Sequence, residues 1–302
     1  MNPLSTIEAP EKAEPRGAES SRRRRLTRRS FLKLSAAAAG GLALYSGEIA
    51  RHELSVEEHT IRLARLPDAF RGMRIVQISD FHYEGFTEGF FLREMVQRVN
   101  RLGPDMVLLT GDFITKFPGL HQLPRRQMPG CAAILSELRC PLRYASLGNH
   151  DEGIGKEWVI APLEEHGIPV LVNRAIPLER DGQRLWLAGV GSVCEMDADP
   201  AKAIPKACVD GNEAVILMAH EPDLLPDYAR YNVDLVLSGH THGGQVRLPL
   251  LPPFALPAWG KLYVEGLFHS GRTQLYVNRG IGTVGLPFRL WCPPEITVFT
   301  LA

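Results

Sequence analysis

The chain has 302 residues, 45% hydrophobic and 23% charged, the balance of a soluble globular protein with one large domain or two small ones. Formal net charge is zero, yet residues 1–33 hold nine Lys/Arg and four Asp/Glu, leaving 25 basic and 30 acidic residues in the rest. A body of that sign lacks the concentrated basic face that nucleic-acid binding requires, so no nucleic-acid partner is expected.

The basic N-terminus reads as a targeting segment. Arg22 to Arg25 lead into Thr27-Arg28-Arg29-Ser30-Phe31-Leu32-Lys33, then an apolar stretch from Leu34 to Tyr45. A charged region, a twin arginine, a Phe-Leu pair and a short Ala/Gly/Leu run form a twin-arginine export signal. The expected partner is the twin-arginine translocation machinery, and the destination is the periplasm or the outer face of the cytoplasmic membrane. The run, about twelve residues, is too short for a comfortable membrane span. No clean small-x-small cleavage site follows it, so cleavage and retention as an anchor both stay open. Residues 1–50 are set aside from the fold, and 51–302 are taken as one domain. The five scattered cysteines include no CxxC pair and are expected to be mostly buried free thiols, with a Cys131–Cys140 bridge as the alternative.

From His52 the pattern becomes regular. Thr60 to Ala64 alternates like a half-buried strand, and Arg74 to Ser79 is a β-branched strand ending at Asp80. Phe91, Met95, Val96 and Val99 have helical spacing over Phe90 to Leu102, which Gly103-Pro104 stops. Met106 to Thr110 reads as a buried strand ending at Gly111-Asp112, and a helix is expected near Cys131 to Leu138. A strand from Arg143 to Leu147 ends at Gly148-Asn149-His150-Asp151, with a helix over Lys156 to Glu165. The second half predicts strands at 170–172, 185–190, 214–218, 233–237, 274–277 and 295–300, with one helix near 223–230. Residues 248–259 are too proline-rich for either element and read as an apolar loop. Alternating β and α elements imply sheets faced by helices.

Strand after strand ends in residues that bind metals: Asp80-Phe81-His82, Gly111-Asp112, Gly148-Asn149-His150-Asp151, Ala219-His220-Glu221 and Ser238-Gly239-His240-Thr241-His242. Loops leaving the same ends of neighbouring strands converge on one crevice. Two divalent ions need about seven or eight ligands with a bridging carboxylate, and this set supplies them, with Asp112 as the bridge. Mixed N/O ligands without cysteine suit Mn, Fe or Zn.

In this order the five segments resemble the calcineurin-like metallophosphoesterase superfamily, whose pattern is D-x-H, GD, GNH[DE], H and GHxH. The resemblance implies that Asp80, His82 and His242 bind one metal, and Asn149, His220 and His240 the other. Asp112 would bridge them, and His150 would be the catalytic histidine at the leaving oxygen. The fold implied is a four-layer α/β/β/α sandwich. The stretches from Gly239 to Gln245 and from Asn278 to Pro287 look like the bacterial exported branch. Cations would lower the pKa of a shared water to give a hydroxide that attacks phosphorus in line, while His150 assists departure.

Gly111-Asp112-Phe113-Ile114-Thr115-Lys116 departs from the GDxxDR of phosphoprotein phosphatases, with Thr115 for the acid that orients the catalytic histidine. Purple acid phosphatases place a tyrosine ligand at this same position. Both comparisons point away from those enzymes and toward a small-molecule or lipid-linked phosphoester. Arg279 and Arg247 are the candidates for gripping phosphate. The apolar loop follows the two GHxH histidines, so its tip either faces a lipid chain or the membrane surface, or packs on its own domain. Some superfamily members cleave the diphosphate of UDP-diacylglucosamine, although export would separate this chain from cytoplasmic nucleotide precursors. The alternative to an enzyme is a non-catalytic metal-binding module in envelope partner recognition.

Overall fold

A computed structural model describes residues 27–85, 87–120 and 122–302, and Arg22 to Arg25 of the expected export signal lie outside these. The chain divides after Gly41 into two compact units. Helix α1 (Arg28–Leu44) carries the Arg28-Arg29 pair and has no buried residue. Among the described residues no helix is long and apolar enough to cross a membrane. The second unit starts at Leu42, ahead of the boundary expected at residue 51. Ser46, Gly47 and Ala50 are buried, and the Ser46 carbonyl accepts the Arg289 N–H at 3.0 Å, so these residues belong to the body.

Eleven strands are described: β1 (Ser55–Ile61), β2 (Arg74–Ile78), β3 (Met106–Thr110), β4 (Leu142–Ser146), β5 (Arg174–Arg180), β6 (Gln183–Gly189), β7 (Val215–Met218), β8 (Leu235–Ser238), β9 (Gly266–Ser270), β10 (Thr273–Val277) and β11 (Glu295–Leu301). They form two mixed sheets, ordered β1-β11-β2-β3-β4 and β5-β6-β7-β8-β10-β9. Period-two alternation builds the layers. Ile75, Met106 and Leu108 of one sheet meet Ile216, Met218, Leu235 and Leu237 of the other in a core between the sheets. The alternate residues Val76, Ile78, Val107 and Leu109 face outward onto α2 (Gly89–Leu102), α3 (Gln122–Leu135) and α5 (Glu157–Glu165). On the far side Val215, Leu217 and Val236 pack with Leu225 and Tyr228 of α8 (Leu225–Ala229). The short helices α4 (Asn149–Gly153), α6 (Pro200–Ala203) and α7 (Lys206–Val209) lie in connections between strands. Three apolar interfaces between four layers make the expected α/β/β/α sandwich.

Several element boundaries differ from expectation for identifiable reasons. Residues 170–172 form only an isolated bridge between Val170 and Ala145. β1 spans Ser55–Ile61, earlier than Thr60 to Ala64, and pairs parallel with β11 along the sheet edge. β5 contains Pro177, which argues against a strand, but β5 lies at a sheet edge where a missing N–H is tolerated. β9 is the other edge of that sheet. Helix α3 starts at Gln122 and tolerates Pro129 inside it, where the reading from Cys131 began only after that proline. The five cysteines are all free, so no Cys131–Cys140 bridge forms.

Candidate metal centre

The parallel strands β2, β3, β7 and β8 each end immediately before a ligand loop, so the loops converge at one end of both sheets. Backbone bonds lock them together: Asp80 N–H to Gly111 O at 2.9 Å, His82 N–H to Asp112 O at 3.0 Å and Gly239 N–H to His220 O at 3.0 Å. A Cβ on Gly148 would collide with the Asp112 carboxylate, and one on Gly239 with Ser79 and Asp80. Both glycines are therefore required by close approach. Asp80, His82, Asp112, His240 and His242 all have positive φ, between 45° and 71°. Non-glycine residues avoid that region, and strain of this kind concentrates where the fold over-determines a site.

The predicted ligands form two neighbouring clusters, joined by a third group of His82, Asp112 and His150. Asp80, His82 and His242 bring one donor atom each within 4.8 Å of one another, and so do Asp112, His220 and His240. Asp80 Oδ1 lies 3.2 Å from His242 Nε2, and His82 Nε2 lies 3.0 Å from the same nitrogen. Asp112 Oδ2 lies 3.0 Å from His220 Nε2 and 3.8 Å from His82 Nε2, so this carboxylate faces both clusters. Asn149 Oδ1 is buried with no hydrogen-bond donor among the described residues, and it lines the same cavity as Asp112, His240 and His242. Converging imidazole nitrogens, two carboxylates and an orphaned carbonyl oxygen are the donor set that two divalent cations require.

Outer partners fix which ring nitrogen is presented. His220 Nδ1 donates to the Thr110 carbonyl at 2.7 Å, which leaves Nε2 toward Asp112. His82 Nδ1 lies 3.1 Å from the Thr115 hydroxyl, leaving Nε2 inward. His240 Nε2 donates to the Ala258 carbonyl at 2.7 Å, leaving Nδ1 for a metal. Thr115 therefore orients a predicted metal ligand, and Ala258 ties the apolar loop to the centre. Neither role was legible in the sequence. Asp151 was a further omission, although it completes the GNHD segment. Its buried carboxylate accepts N–H bonds from Asp112 (2.7 Å), Phe113 (2.9 Å) and Gly148 (3.0 Å), joining two ligand loops.

The electrostatics suit a cation. Burial pushes the Asp80 carboxyl up, but His242 and His220 beside it outweigh burial and hold it below the usual carboxylate range. Burial likewise opposes ionisation of Asp112, and His220 and His150 reverse the balance. Burial, reinforced by His150 and His242, keeps the His82 imidazole neutral, and burial and His220 lower His240. His220 is the exception: burial opposes its proton, yet Asp112 raises it above the ordinary histidine range.

His150 stands half-buried at the edge, its ring 4.9 Å from His82 and perpendicular to it. The Lys116 backbone N–H donates to its Nδ1 at 2.9 Å, so the proton of the neutral ring sits on Nε2. His150 lines one cavity of about 490 Å³ together with Asp112, Asn149, His240 and His242. The structure does not bring the two predicted phosphate-gripping arginines into this cavity. Arg279 is held by Glu57 at 2.6 Å, Glu295 at 2.8 Å and Glu265 at 3.9 Å, and Arg247 pairs with Glu265. Their guanidinium groups are paired with carboxylates, and neither arginine is among the described residues that line the cavity.

Residues 73–244 match the family described as Calcineurin-like phosphoesterase. The chain is 34% identical to the metallophosphoesterase YkuE of Bacillus subtilis (strain 168), covering 92% of this chain and 98% of that one. It is 31% identical to the phosphodiesterase YaeI of Escherichia coli (strain K12), covering 91% and 99%. It is 29% identical to the UDP-2,3-diacylglucosamine pyrophosphatase LpxG of Chlamydia trachomatis serovar D, covering 80% and 89%. Among solved structures, a 5'-nucleotidase precursor of Thermus thermophilus aligns with a TM-score of 0.48 at 15% identity, covering 69% of this chain and 49% of that one.

Proposed function

Because the chain belongs to the calcineurin-like phosphoesterase family and is thus a metal-dependent phosphoric ester hydrolase, we propose that it cleaves a phosphodiester or pyrophosphate bond at two divalent ions. Asp80, His82 and His242 would hold one ion and Asn149, His220 and His240 the other, with the Asp112 carboxylate placed toward both groups. The observation that carries this reading is Asp112, whose single carboxylate reaches toward His82 on one side and His220 on the other. Bound divalent ions supply Lewis acidity to phosphate oxygens and acidify water.

The chain's own residues do the rest. Thr110, Thr115 and Ala258 hold three imidazoles in the ligating orientation. Asp151 fixes the spacing of the 111–113 and 148–150 loops. His150 keeps a proton on Nε2, from which it can donate a hydrogen bond to the departing ester oxygen as negative charge develops there. The relatives named as a phosphodiesterase and a pyrophosphatase favour an ester or anhydride of a phosphodiester type. Purified protein supplied with Mn²⁺ is expected to hydrolyse bis(p-nitrophenyl) phosphate. No turnover by folded, metal-loaded protein overturns the proposal, and so does metal-independent turnover.

The same reading extends to location: the chain is exported through the twin-arginine machinery and works in the periplasm or at the outer face of the cytoplasmic membrane. The Arg28-Arg29-Ser30-Phe31-Leu32-Lys33 run opens helix α1, and no residue of that helix is buried, so it is accessible to a receptor. Changing Arg28 and Arg29 together to lysine is expected to leave the protein in the cytoplasmic fraction. Undiminished export of that variant counts against this route.

A further inference from the structure

The cavity at the metal centre has two unlike walls. One is the ligand cluster with His150. The other is built by two loops that lie side by side, residues 244–262 and 283–290, joined by a bridge between Val246 and Leu290. That wall presents Phe254, Leu256, Pro257, Val284 and Leu286, and the lining among the described residues contains no lysine or arginine.

Its polar side chains are already occupied. The Thr241 hydroxyl donates to the Val264 carbonyl at 2.6 Å and accepts the Gly243 N–H at 3.1 Å. The Gln245 amide nitrogen donates to the Val284 and Leu286 carbonyls, and its oxygen accepts the Val284 N–H at 2.8 Å. No side-chain donor of Thr241 or Gln245 is left to hydrogen-bond a base or a sugar, and a site that reads such groups needs placed polar partners.

The wall is also fixed relative to the ligand cluster. Its loop is pinned at Ala258 by His240 and at Lys261 and Leu262 by N–H bonds to the Asp223 carboxylate at 2.8 and 3.0 Å. Phe254 and Leu286 of the lining are 65% and 61% exposed, and Leu250, in the same loop as Phe254, is fully exposed. Leu250 also has φ of 67°, a conformation in which a solvent-facing loop would favour glycine or asparagine.

Resting on the hydrolase reading above, we propose that this wall is a subsite for the alkyl or acyl chain of an amphiphilic phosphoester, with Phe254, Leu256, Val284 and Leu286 as specificity residues. The chain leaves the phosphate at the metal clusters, runs along the apolar wall and passes out over the leucine-rich rim. The shared chemistry is an aliphatic chain joined to a phosphate, taken either from a lipid surface or as a soluble ester.

The test uses the Mn²⁺-loaded full chain and two series, p-nitrophenyl alkyl phosphates for turnover and alkylphosphonates for calorimetric binding, both below their aggregation concentrations. Burying a methylene strengthens binding about threefold to fourfold. From ethyl to hexyl, kcat/KM and phosphonate affinity are each expected to rise on the order of 100-fold. In Phe254→Asp/Leu286→Asp the hexyl-to-ethyl ratio is expected to collapse toward one, with folding checked by circular dichroism. Turnover of the ethyl ester with no chain-length dependence overturns the subsite and leaves the hydrolase reading intact. Chain-length-dependent phosphonate binding without turnover does the reverse. Sedimentation with phosphatidylglycerol vesicles that Leu250→Asp/Leu251→Asp abolishes assigns the chain to a bilayer. Its absence, with the chain-length gain retained, assigns it to a soluble ester.

Discussion

Asp112→Asn is expected to lower metal content from two ions per chain to one or none and to reduce phosphodiester turnover by at least about 1,000-fold. Removing an outer-shell partner of a metal ligand typically costs roughly 10- to 100-fold in affinity or activity, and a shared carboxylate matters to both ions. Asparagine is the informative substitution. It keeps an oxygen that can accept the His150 backbone N–H now bonded to Oδ1 at 2.9 Å, and it fits against Gly148. What it removes is the negative charge between His82 and His220. Metal analysis by mass spectrometry, alongside turnover, reads both effects. A variant that keeps two ions and most of its activity would show that Asp112 is not the bridge.

The same carboxylate makes metal loading depend on pH. Asp112 raises the His220 imidazole above the ordinary histidine range against the opposing effect of burial. A cation at Nε2 must displace that proton, so loading of the wild type weakens as pH falls through the raised value. In Asp112→Asn the main cause of the shift is gone, and the remaining affinity is expected to vary less with pH over that interval. Metal content measured after dialysis across neutral and mildly acidic buffers reads the contrast.

Much of this centre was legible in the chain because metal ligation uses few residue types and strand ends are easy to see. Asp80, Asp112, His220 and His240 each follow a buried run, and their order alone implied one crevice. What escaped was set by contacts far apart in sequence. Arg279 is bonded to Glu57 on the edge strand β1 and to Glu295 on β11, and no local pattern signals a charge already paired across a sheet. Thr115 was read only as a missing acid, whereas its hydroxyl faces His82. The Ala258 carbonyl is a backbone atom, which side-chain types cannot announce. Residues 42–50 were assigned to the signal on composition, because small residues that pack, such as Ser46 and Gly47 against the 287–289 segment, look the same as small residues in an apolar leader. The edge strands β5 and β9 escaped because an edge relaxes the demands on backbone and pattern that make a central strand recognisable.

His150→Ala is expected to leave two ions per chain while lowering turnover of esters with poor leaving groups by roughly 100- to 1,000-fold, the range for losing a hydrogen-bond donor to a developing oxyanion. His150 reaches the cluster of His82 and Asp112, so proximity alone does not separate a proton donor from a ligand. Its hydrogen bonding does separate them. Nδ1 accepts the Lys116 N–H, which leaves the proton on Nε2, and a protonated nitrogen cannot ligate a cation. A hydrogen-bond donor at that place matters in proportion to the negative charge that builds on the leaving oxygen. The loss is therefore expected to be small for p-nitrophenolate, which departs readily as an anion, and large for phenyl or alkyl leaving groups. Loss of a ligand would instead weaken all substrates together and lower the metal content. Rates of His150→Ala across a series of aryl esters of graded leaving-group acidity, with metal content measured on the same samples, distinguish the two. A uniform loss accompanied by a missing ion would move His150 into the ligand set.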